Sequence, residues 1–441
     1  MGPRLKPAAA VETADIESLD HEGRGVAHVG GKTVFVSGAL AGESVAFRRT
    51  RRQRRHDEAE AVEILRESSA RVAPRCRHFG TCGGCALQHL DRDAQLEAKA
   101  RIVADAFSRI GEVAPETWLA PLVGPAWSYR RRARLGCKFV DKKGKLLVGF
   151  RERGSPLIAD LASCDVLAPP VGALITPLAE LIGSLDIRRR VPQVEVAVGE
   201  NATALVLRVL EDPTPGDLAR LAAFESEHRV ALYLQRGGLD TVTPLTLPAV
   251  PLRYELPGLP AGVEFAPTDF VQVNGPLNRS MVERAIALLA PRPSDRALDL
   301  FCGLGNFSLP LAREVASVDG VEGDAALVDR ARANAKRNGI SNAAFHVADL
   351  FAEEPAGAWA RAGYDLILLD PPRAGAREAL PAATSSRPRR IVYVSCHPGT
   401  LARDAGILVR EHRYRFVAAG IMDMFPHTTH VESIALFEPR A

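Results

Sequence analysis

Residues 297–307 read ALDLFCGLGNF, an apolar run that passes directly into a turn with two glycines. A strand, a glycine turn and a helix start in this order are typical of the first unit of a Rossmann-like α/β domain, where a ligand approaches the backbone. Ser308 stands where the dinucleotide fingerprint G-x-G-x-x-G has its third glycine. The stretch therefore predicts an α/β ligand-binding domain and disfavours nicotinamide or flavin as the ligand.

Acidic residues follow the next strands of this predicted sheet. Glu322 ends a strand-like run about twenty residues after the turn, where a carboxylate accepts hydrogen bonds from ribose hydroxyls. Asp349, suited to an adenine amine, follows the third strand, and Asp370 follows the fourth. Because parallel strands end at one edge of a sheet, these acids predict a ligand crevice. S-adenosylmethionine carries such a ribose and needs no pyrophosphate site.

A cysteine ends the next strand. Residues 391–398 read IVYVSCHP, which predicts a buried central strand that presents the thiol of Cys396 at its carboxyl end. A lone cysteine is usually inert packing, but the neighbouring acids make this one a candidate nucleophile. Two final strands predict an edge hairpin, and Glu432, beside apolar residues where the hairpin re-enters the sheet, is a candidate base.

The length, the apolar content and the cysteine count of the chain restrict the class of protein it can be. Its 441 residues predict two to four domains, and 46% of them are hydrophobic. No run approaches the roughly 18 apolar residues of a membrane span, and no signal peptide is recognisable, so we expect a cytosolic protein. In a reducing compartment its seven cysteines favour metal binding or catalysis over disulfides.

Basic residues cluster in two places. Residues 8–67 contain short alternating runs separated by glycines, which predict a small β-barrel, and within them residues 48–55 hold six arginines in eight positions. Such arginines suit a nucleic-acid backbone, although a solvated loop is the alternative. Residues 129–134, YRRRAR, predict RNA backbone contact with base stacking, or else a strand with a solvated face.

Three cysteines share a glycine-rich segment with the spacing C-x5-C-x2-C: Cys76, Cys82 and Cys85. Three thiolates leave a tetrahedral site incomplete, so we take Cys164 as the fourth ligand and Cys137 as the weaker candidate. Zinc is the simpler interpretation, whereas an iron–sulfur cluster tolerates this irregular spacing better.

Between these features the chain predicts a second α/β unit, with a helix and several strand candidates followed by a proline-rich crossover. The predicted fold class is therefore α/β in three parts. These are an OB-like barrel at 8–67, a central α/β domain with the cysteine cluster at 68–265, and a Rossmann-like domain at 266–441.

Taken together, the motifs resemble the RNA uracil-C5 methyltransferases that use S-adenosylmethionine. The matching signatures are FxQxN at 270–274, DLFCGxG at 299–305, DPPR at 370–373, SC at 395–396 and HVES at 430–433. The barrel resembles a TRAM domain, and the four cysteines resemble the [4Fe-4S] ligands of the family. Having both is typical of the branch that acts on 23S rRNA.

The resemblance implies a role for each site residue. It makes Cys396 the nucleophile at uracil C6 and Glu432 the acceptor of the C5 proton. Asp370 either binds the donor or holds the uracil edge. The implied partners are S-adenosylmethionine and 23S rRNA, with a monomer and no stable protein partner expected. The implied donor-binding residues are Gln272, Phe301, Asn306, Glu322, Asp349 and Asp370.

Two other functions stay open at this point. The same fold could methylate tRNA uracil, or cytosine, whose enzymes also use a cysteine at C6. Alternatively, the chain is a non-catalytic iron–sulfur protein that binds RNA. The presence of both Cys396 and Glu432 favours an enzyme.

Overall fold

The computed structural model describes residues 10–352 and 357–440, so residues 8, 9, 353–356 and 441 of the predicted domains lie outside it. The chain forms two compact units. The first contains the described residues up to Lys99 together with His427–Thr429, and the second contains the rest. Within the described ranges, no helix is both long and apolar enough to cross a membrane. The predicted domain boundaries near residues 67 and 265 stay predictions.

A six-stranded sheet forms most of the first unit, in the order β1-β5-β6-β4-β3-β2. Alternating side chains such as Val34, Val36, Val45 and Phe47 are fully buried and give the sheet its apolar core. The all-β prediction for this region is confirmed. The strands are β1 Val11–Asp15, β2 Ser18–Leu19, β3 Gly25–Val29, β4 Lys32–Ser37, β5 Ser44–Arg52 and β6 His56–Arg66.

The arginine run lies on β5 and the turn that follows it. Arg49 differs from its neighbours because it forms ion pairs with Glu12 and Asp57. The other five side chains are exposed, so the sheet presents a basic surface as predicted. They are Arg48, Arg51, Arg52, Arg54 and Arg55.

The second unit contains a mixed sheet in the order β13-β12-β11-β10-β8-β9, which confirms the predicted central α/β fold. A helix, α1, Arg92–Ala106, precedes it in the chain. The strands up to residue 265 are β7 Thr117–Trp118, β8 Arg132–Val140, β9 Lys145–Gly149, β10 Gln193–Val198, β11 Thr203–Arg208, β12 Ala231–Gln235, β13 Val242–Pro244, β14 Leu252–Tyr254 and β15 Val263–Phe265, with helices α2 Ile175–Ser184 and α3 Pro215–His228.

An eight-stranded sheet completes the second unit, in the order β18-β17-β16-β19-β20-β22-β21-β7. Its strands are β16 Arg296–Leu300, β17 Ser317–Glu322, β18 Ala343–Val347, β19 Leu366–Leu369, β20 Arg390–Ser395, β21 Tyr414–Met422 and β22 Glu432–Pro439. The helices are α4 Gly275–Leu289, α5 Ser308–Leu311, α6 Ala325–Arg337, α7 Leu380–Thr384 and α8 Pro398–Arg410. This is the Rossmann-like arrangement that the sequence predicts.

Strand direction in this sheet positions the site. The strands β16 to β20 are parallel, and the order reverses between β16 and β19, which is where open α/β sheets bind ligands. The predicted edge hairpin is wrong in one respect. β22 lies inside the sheet between β20 and β21, and the outer edge of β21 pairs with the two-residue strand β7.

Candidate active site

A cavity of about 660 Å³ opens at the carboxyl edge of the parallel strands, wholly within the second unit. Its volume is typical of a site for a small molecule or cofactor. The structure brings every predicted catalytic and donor-binding residue to this one cavity. These residues are Gln272, Phe301, Asn306, Glu322, Asp349, Asp370, Cys396 and Glu432.

The glycine turn after β16 shapes one end of the cavity. Gly303 and Gly305 have φ angles of 54° and 85°, and a Cβ atom on Gly305 would lie 2.8 Å from Leu309 Cγ. The amide of Gly303 donates to Glu322 Oε2 at 3.1 Å, and the amide of Gly323 donates to Oε1 at 2.7 Å. The turn therefore fixes the Glu322 carboxylate at the cavity wall.

Aromatic rings and amides complete this end. The rings of Phe301 and Phe351 lie 5.7 Å apart, and Asp349 accepts a hydrogen bond from the amide of Phe351 at 2.9 Å. Two apolar rings and two carboxylates in one cavity suit a nucleoside, which offers a flat base and ribose hydroxyls. The residues present therefore fit S-adenosylmethionine.

Asn306 is held in place by two partners. Tyr254 donates its hydroxyl hydrogen to Asn306 Oδ1 at 3.1 Å. The amide groups of Asn278 and Asn306 exchange hydrogen bonds of 2.9 and 3.0 Å. Sequence reasoning missed both partners because neither lies in a motif.

Cys396 and Glu432 lie at the other end of the cavity. The antiparallel register pairs Ser395 of β20 with Ser433 of β22, so Cys396, one residue after Ser395, lies next to Glu432, one residue before Ser433. The thiol of Cys396 is half-buried, and the Glu432 side chain is buried. His397 Nδ1 accepts a hydrogen bond from the Thr400 amide at 3.1 Å, so its role is to cap α8.

Burial and neighbouring carboxylates control the ionisation of this end. Burial raises the pKa of Cys396 to about 11, Glu432 and Asp370 raise it too, and Arg373 opposes them. Burial, together with Asp370, also holds the pKa of Glu432 well above its ordinary value. A cationic ligand in the cavity would favour the ionised form of all three acids, and the sulfonium of the proposed donor is such a cation.

Asp370 connects the two ends of the cavity. Burial, with Asp299 as a second cause, raises its pKa to about 7, whereas a hydrogen bond from the Gln272 side chain lowers it. Asp370 is therefore close to half-protonated at neutral pH and can accept or donate a hydrogen bond.

We expect Asp299 to make the protein less stable as the pH rises. Its side chain is fully buried, Ser308 donates to one oxygen at 2.5 Å, and the other oxygen has no partner within the described structure. Burial raises its folded pKa to about 7, against about 3.9 in the unfolded chain. The folded state therefore binds the proton more tightly, so this residue's stabilisation is complete below about pH 4 and is lost as the pH rises through 7.

Asp299→Asn should flatten the fall in the unfolding temperature between about pH 5 and 8, by an amount equivalent to at most about 3 kcal/mol. Thermal melts across this range measure the effect. Asp329→Asn, which changes an exposed acid paired with Arg332, is the control and should keep the wild-type slope. An unchanged slope in Asp299→Asn would show that Asp299 does not titrate in this range.

Several cavity residues had no predicted role. Phe270 is 71% exposed and lies in the cavity lining, as do Phe425, Arg373 and His430. Arg373 lies beside His430, with Nη2 3.3 Å from Nδ1, and it is the cation that favours the Cys396 thiolate. Arg373 belongs to the DPPR signature, so its position in that motif was the sequence feature that could have predicted a role for it.

The predicted RNA contact by residues 129–134 is wrong for Tyr129 and Arg131. Tyr129 is 3% exposed and its hydroxyl donates to Pro426 O at 3.1 Å, so its ring cannot stack on a base. Arg131 is 5% exposed. Arg134 remains exposed, and Arg130 lines the cavity.

The structure leaves the predicted cysteine cluster untested. Cys76, Cys82 and Cys85 lie in the first unit and Cys164 in the second, and none of the four forms a disulfide within the described residues. In residues 10–352 and 357–440, no group of three or more His, Cys, Asp or Glu side chains is arranged to hold a metal. Cys137 is a poor ligand candidate, because burial in β8 raises its pKa to about 12.

The sheet order, the glycine turn and the cavity define a Rossmann-like S-adenosylmethionine-dependent methyltransferase. Two family models match the chain, tRNA (Uracil-5-)-methyltransferase over residues 262–440 and the TRAM domain of tRNA (uracil(54)-C(5))-methyltransferase over residues 13–70. The chain is 53% identical, over 99% of both chains, to the 23S rRNA (uracil(1939)-C(5))-methyltransferase RlmD of Methylococcus capsulatus. It is 52% identical to RlmD of Stenotrophomonas maltophilia, over 97% of both.

A solved structure shares the whole fold. The Pyrococcus abyssi tRNA (uracil-54, C5)-methyltransferase, crystallised with S-adenosyl-L-homocysteine, superposes with a TM-score of 0.74 at 26% identity. The match covers 96% of this chain and 99% of that one. The chain therefore belongs to the RNA uracil-C5 methyltransferase family, in the branch that contains the RlmD proteins.

Proposed function

We propose that this chain transfers a methyl group from S-adenosylmethionine to C5 of a uracil in 23S rRNA. The observation that carries the proposal is the pairing of Cys396 with Glu432 in a cavity that also contains the residues suited to the donor. The relatives named for uracil 1939 of 23S rRNA support that nucleotide as the target.

Cys396 starts the reaction as the nucleophile. Uracil C5 is too weakly nucleophilic to take a methyl group unaided, so the thiolate adds to C6 and moves the C5–C6 π electrons into an enolate. S-adenosylmethionine would supply the methyl group from its sulfonium, with S-adenosylhomocysteine as the leaving group when C5 of the enolate bonds to the methyl carbon. Arg373 favours the thiolate, and Asp370 either orients the uracil edge or holds the donor.

Glu432 completes the reaction as the base. After transfer, C5 carries both the methyl group and its original proton, and the C6–S bond cannot break until that proton leaves. The Glu432 carboxylate removes it, the C5–C6 double bond forms again, and the Cys396 thiolate is released. Burial raises the pKa of Glu432, which makes the ionised carboxylate a stronger base.

A uracil in folded rRNA must leave its stack before a thiol can reach C6. Phe270 provides an exposed aromatic face at the cavity for a neighbouring base. The five exposed arginines of β5 and its turn provide contacts to RNA phosphates. We infer that both surfaces bind the substrate, while a cytosolic location and a monomeric state stay predictions from the sequence.

We further propose that Cys76, Cys82, Cys85 and Cys164 hold a [4Fe-4S] cluster with a structural role. The chemistry of four thiolates fits such a cluster, and the Gly84 amide donates to Cys82 Sγ at 3.4 Å, as amides beside cluster ligands do. The cluster would supply rigidity to the RNA-binding surface, since no step of the mechanism above needs an electron.

Cys82→Ser should therefore lose its iron and bind rRNA at least roughly tenfold more weakly, with a smaller effect on the chemical step. Iron analysis of anaerobically purified protein and RNA binding measure this. Cys137→Ser is the matched control and should keep its iron, because Cys137 is the alternative fourth ligand that we reject. A soluble Cys82→Ser protein with normal RNA affinity but no turnover would contradict the structural role.

The proposed function is tested by tritium release from C5-labelled uridine, with naked 23S rRNA and tRNA as separate substrates. The assay contains S-adenosylmethionine and anaerobically purified protein. We expect release from 23S rRNA alone. Release from tRNA alone would overturn the proposal that 23S rRNA is the substrate. Release from neither RNA would favour an RNA-binding protein without catalytic activity.

A further inference from the structure

Arg131 is a buried cation without an acidic partner. It directly precedes β8 and is 5% exposed, and no ion pair to it exists in the described part of the chain. Its Nε donates to the backbone oxygen of Gln272 at 2.7 Å, whereas its Nη2 is buried and has no hydrogen-bond partner. The guanidinium lies 4.6 Å from the centre of the Tyr254 ring.

Stability does not explain this arrangement. Burying a charge is costly unless a counter-charge compensates for it, and an apolar side chain of similar size is often more stable there. The acid that acts on Arg131 electrostatically is Glu200, which is already paired with Arg279 at 2.6 Å. Burial accordingly lowers the pKa of Arg131. Such an unsatisfied buried group needs another explanation.

The contacts of Arg131 lead to two residues of the cavity. The first contact fixes the backbone of Gln272, whose side chain hydrogen-bonds Asp370. The second supports the Tyr254 ring through a cation–π interaction, and the hydroxyl of that ring donates to Asn306 at 3.1 Å. Arg131 itself does not line the cavity, so it acts through these neighbours.

We propose that Arg131 is a positioning residue for the methyl donor, which holds Gln272 from its backbone and Asn306 through Tyr254. This role rests on the proposed function, because Gln272 and Asn306 are donor-binding residues only there. The Arg131 side chain then holds both Gln272 and Asn306, which line the same cavity. Losing it lets both residues move, which weakens donor binding while the RNA surface stays intact.

The test uses Arg131→Met, which keeps an unbranched apolar stem and removes the guanidinium with its charge. Arg189→Met is the matched control, because the Arg189 guanidinium also lies 4.6 Å from a ring, that of Phe139, but is exposed and outside the cavity. The affinity for S-adenosylmethionine is measured by calorimetry without RNA. The unfolding temperature, the KM for donor and for rRNA, and kcat are measured in parallel on the full-length protein.

We expect Arg131→Met to weaken donor binding and raise the donor KM at least roughly tenfold, with the rRNA KM within about twofold and no fall in unfolding temperature. Arg131→Lys should recover part of the affinity, since an ammonium can donate to the Gln272 oxygen but cannot cover the ring. Tyr254→Phe should bind the donor about threefold more weakly, because it removes the hydrogen bond to Asn306. Arg189→Met should match the wild type.

Donor affinity within about twofold of wild type in a folded Arg131→Met protein would overturn the role. If that variant does not fold, unchanged affinity in both Arg131→Lys and Tyr254→Phe would overturn it. Because calorimetry needs no RNA, this result is independent of the rRNA assay, in which a failure would overturn the proposed substrate instead.

Discussion

Replacing Cys396 with serine lowers kcat for rRNA methylation by roughly 10⁴-fold or more. A serine hydroxyl is not ionised near neutral pH, and the cavity already opposes negative charge, since burial, Glu432 and Asp370 all raise the pKa of the native thiol. Addition to C6 therefore fails before the methyl group can move. Transfer of a labelled methyl group from S-adenosylmethionine to rRNA measures the loss.

The Cys396→Ser protein should still fold and bind both the donor and rRNA, because the side chain changes by one atom. Cys137→Ser, at a buried position of β8 outside the cavity, is the control and should keep its activity. Methylation of rRNA by the Cys396→Ser protein at the wild-type rate would contradict the covalent mechanism, even if the product were still 5-methyluridine.

Replacing Glu432 with glutamine should allow one methyl transfer and then stop the enzyme on its substrate. Without a base the C5 proton stays, so the C6–S bond to Cys396 cannot break. We expect kcat to fall by roughly 10²- to 10⁴-fold, with a covalent protein–RNA complex that contains one methyl group for each enzyme. Denaturing electrophoresis with labelled donor separates the covalent complex from free methylated RNA, so it measures both the complex with its methyl content and the rate of product release.

Glu438→Gln is the matched control for this substitution. Glu438 lies on the same strand, β22, but pairs with Arg390 at 2.9 Å and does not line the cavity. The Glu438→Gln protein should methylate rRNA at the wild-type rate and should form no stable covalent complex with it. A Glu432→Gln protein that releases methylated rRNA at the wild-type rate would show that another group removes the proton.

The strands and their exits could be predicted from the sequence because local patterns determine them. Residues 391–398 predicted a strand that ends at Cys396, and β20 covers Arg390–Ser395. The acids Glu322, Asp349 and Asp370 and the thiol of Cys396 lie at or just after the ends of parallel strands, which end at one edge of the sheet, so their proximity followed from the topology. The other four predicted residues line the same cavity.

The remaining features depend on contacts between distant parts of the chain. The basic pattern of residues 129–134 does not reveal that Tyr129 is covered by Pro426, or that Arg131 lies between Gln272 and Tyr254. The pairing of β7 with β21 joins segments more than 300 residues apart in the sequence, as in the contact between Ala418 and Thr117. No local periodicity encodes such contacts.

The most direct test of the central claim uses a 23S rRNA fragment whose uridines are replaced by 5-fluorouridine. Fluorine at C5 cannot leave as a proton, so the reaction stops after methyl transfer, with the protein still bonded to C6. We predict a complex whose mass equals protein plus RNA plus one methyl group, less the thiol proton, with the RNA attached to the peptide that contains Cys396. Absence of any covalent complex with an otherwise active enzyme, or attachment at another residue, would contradict the account.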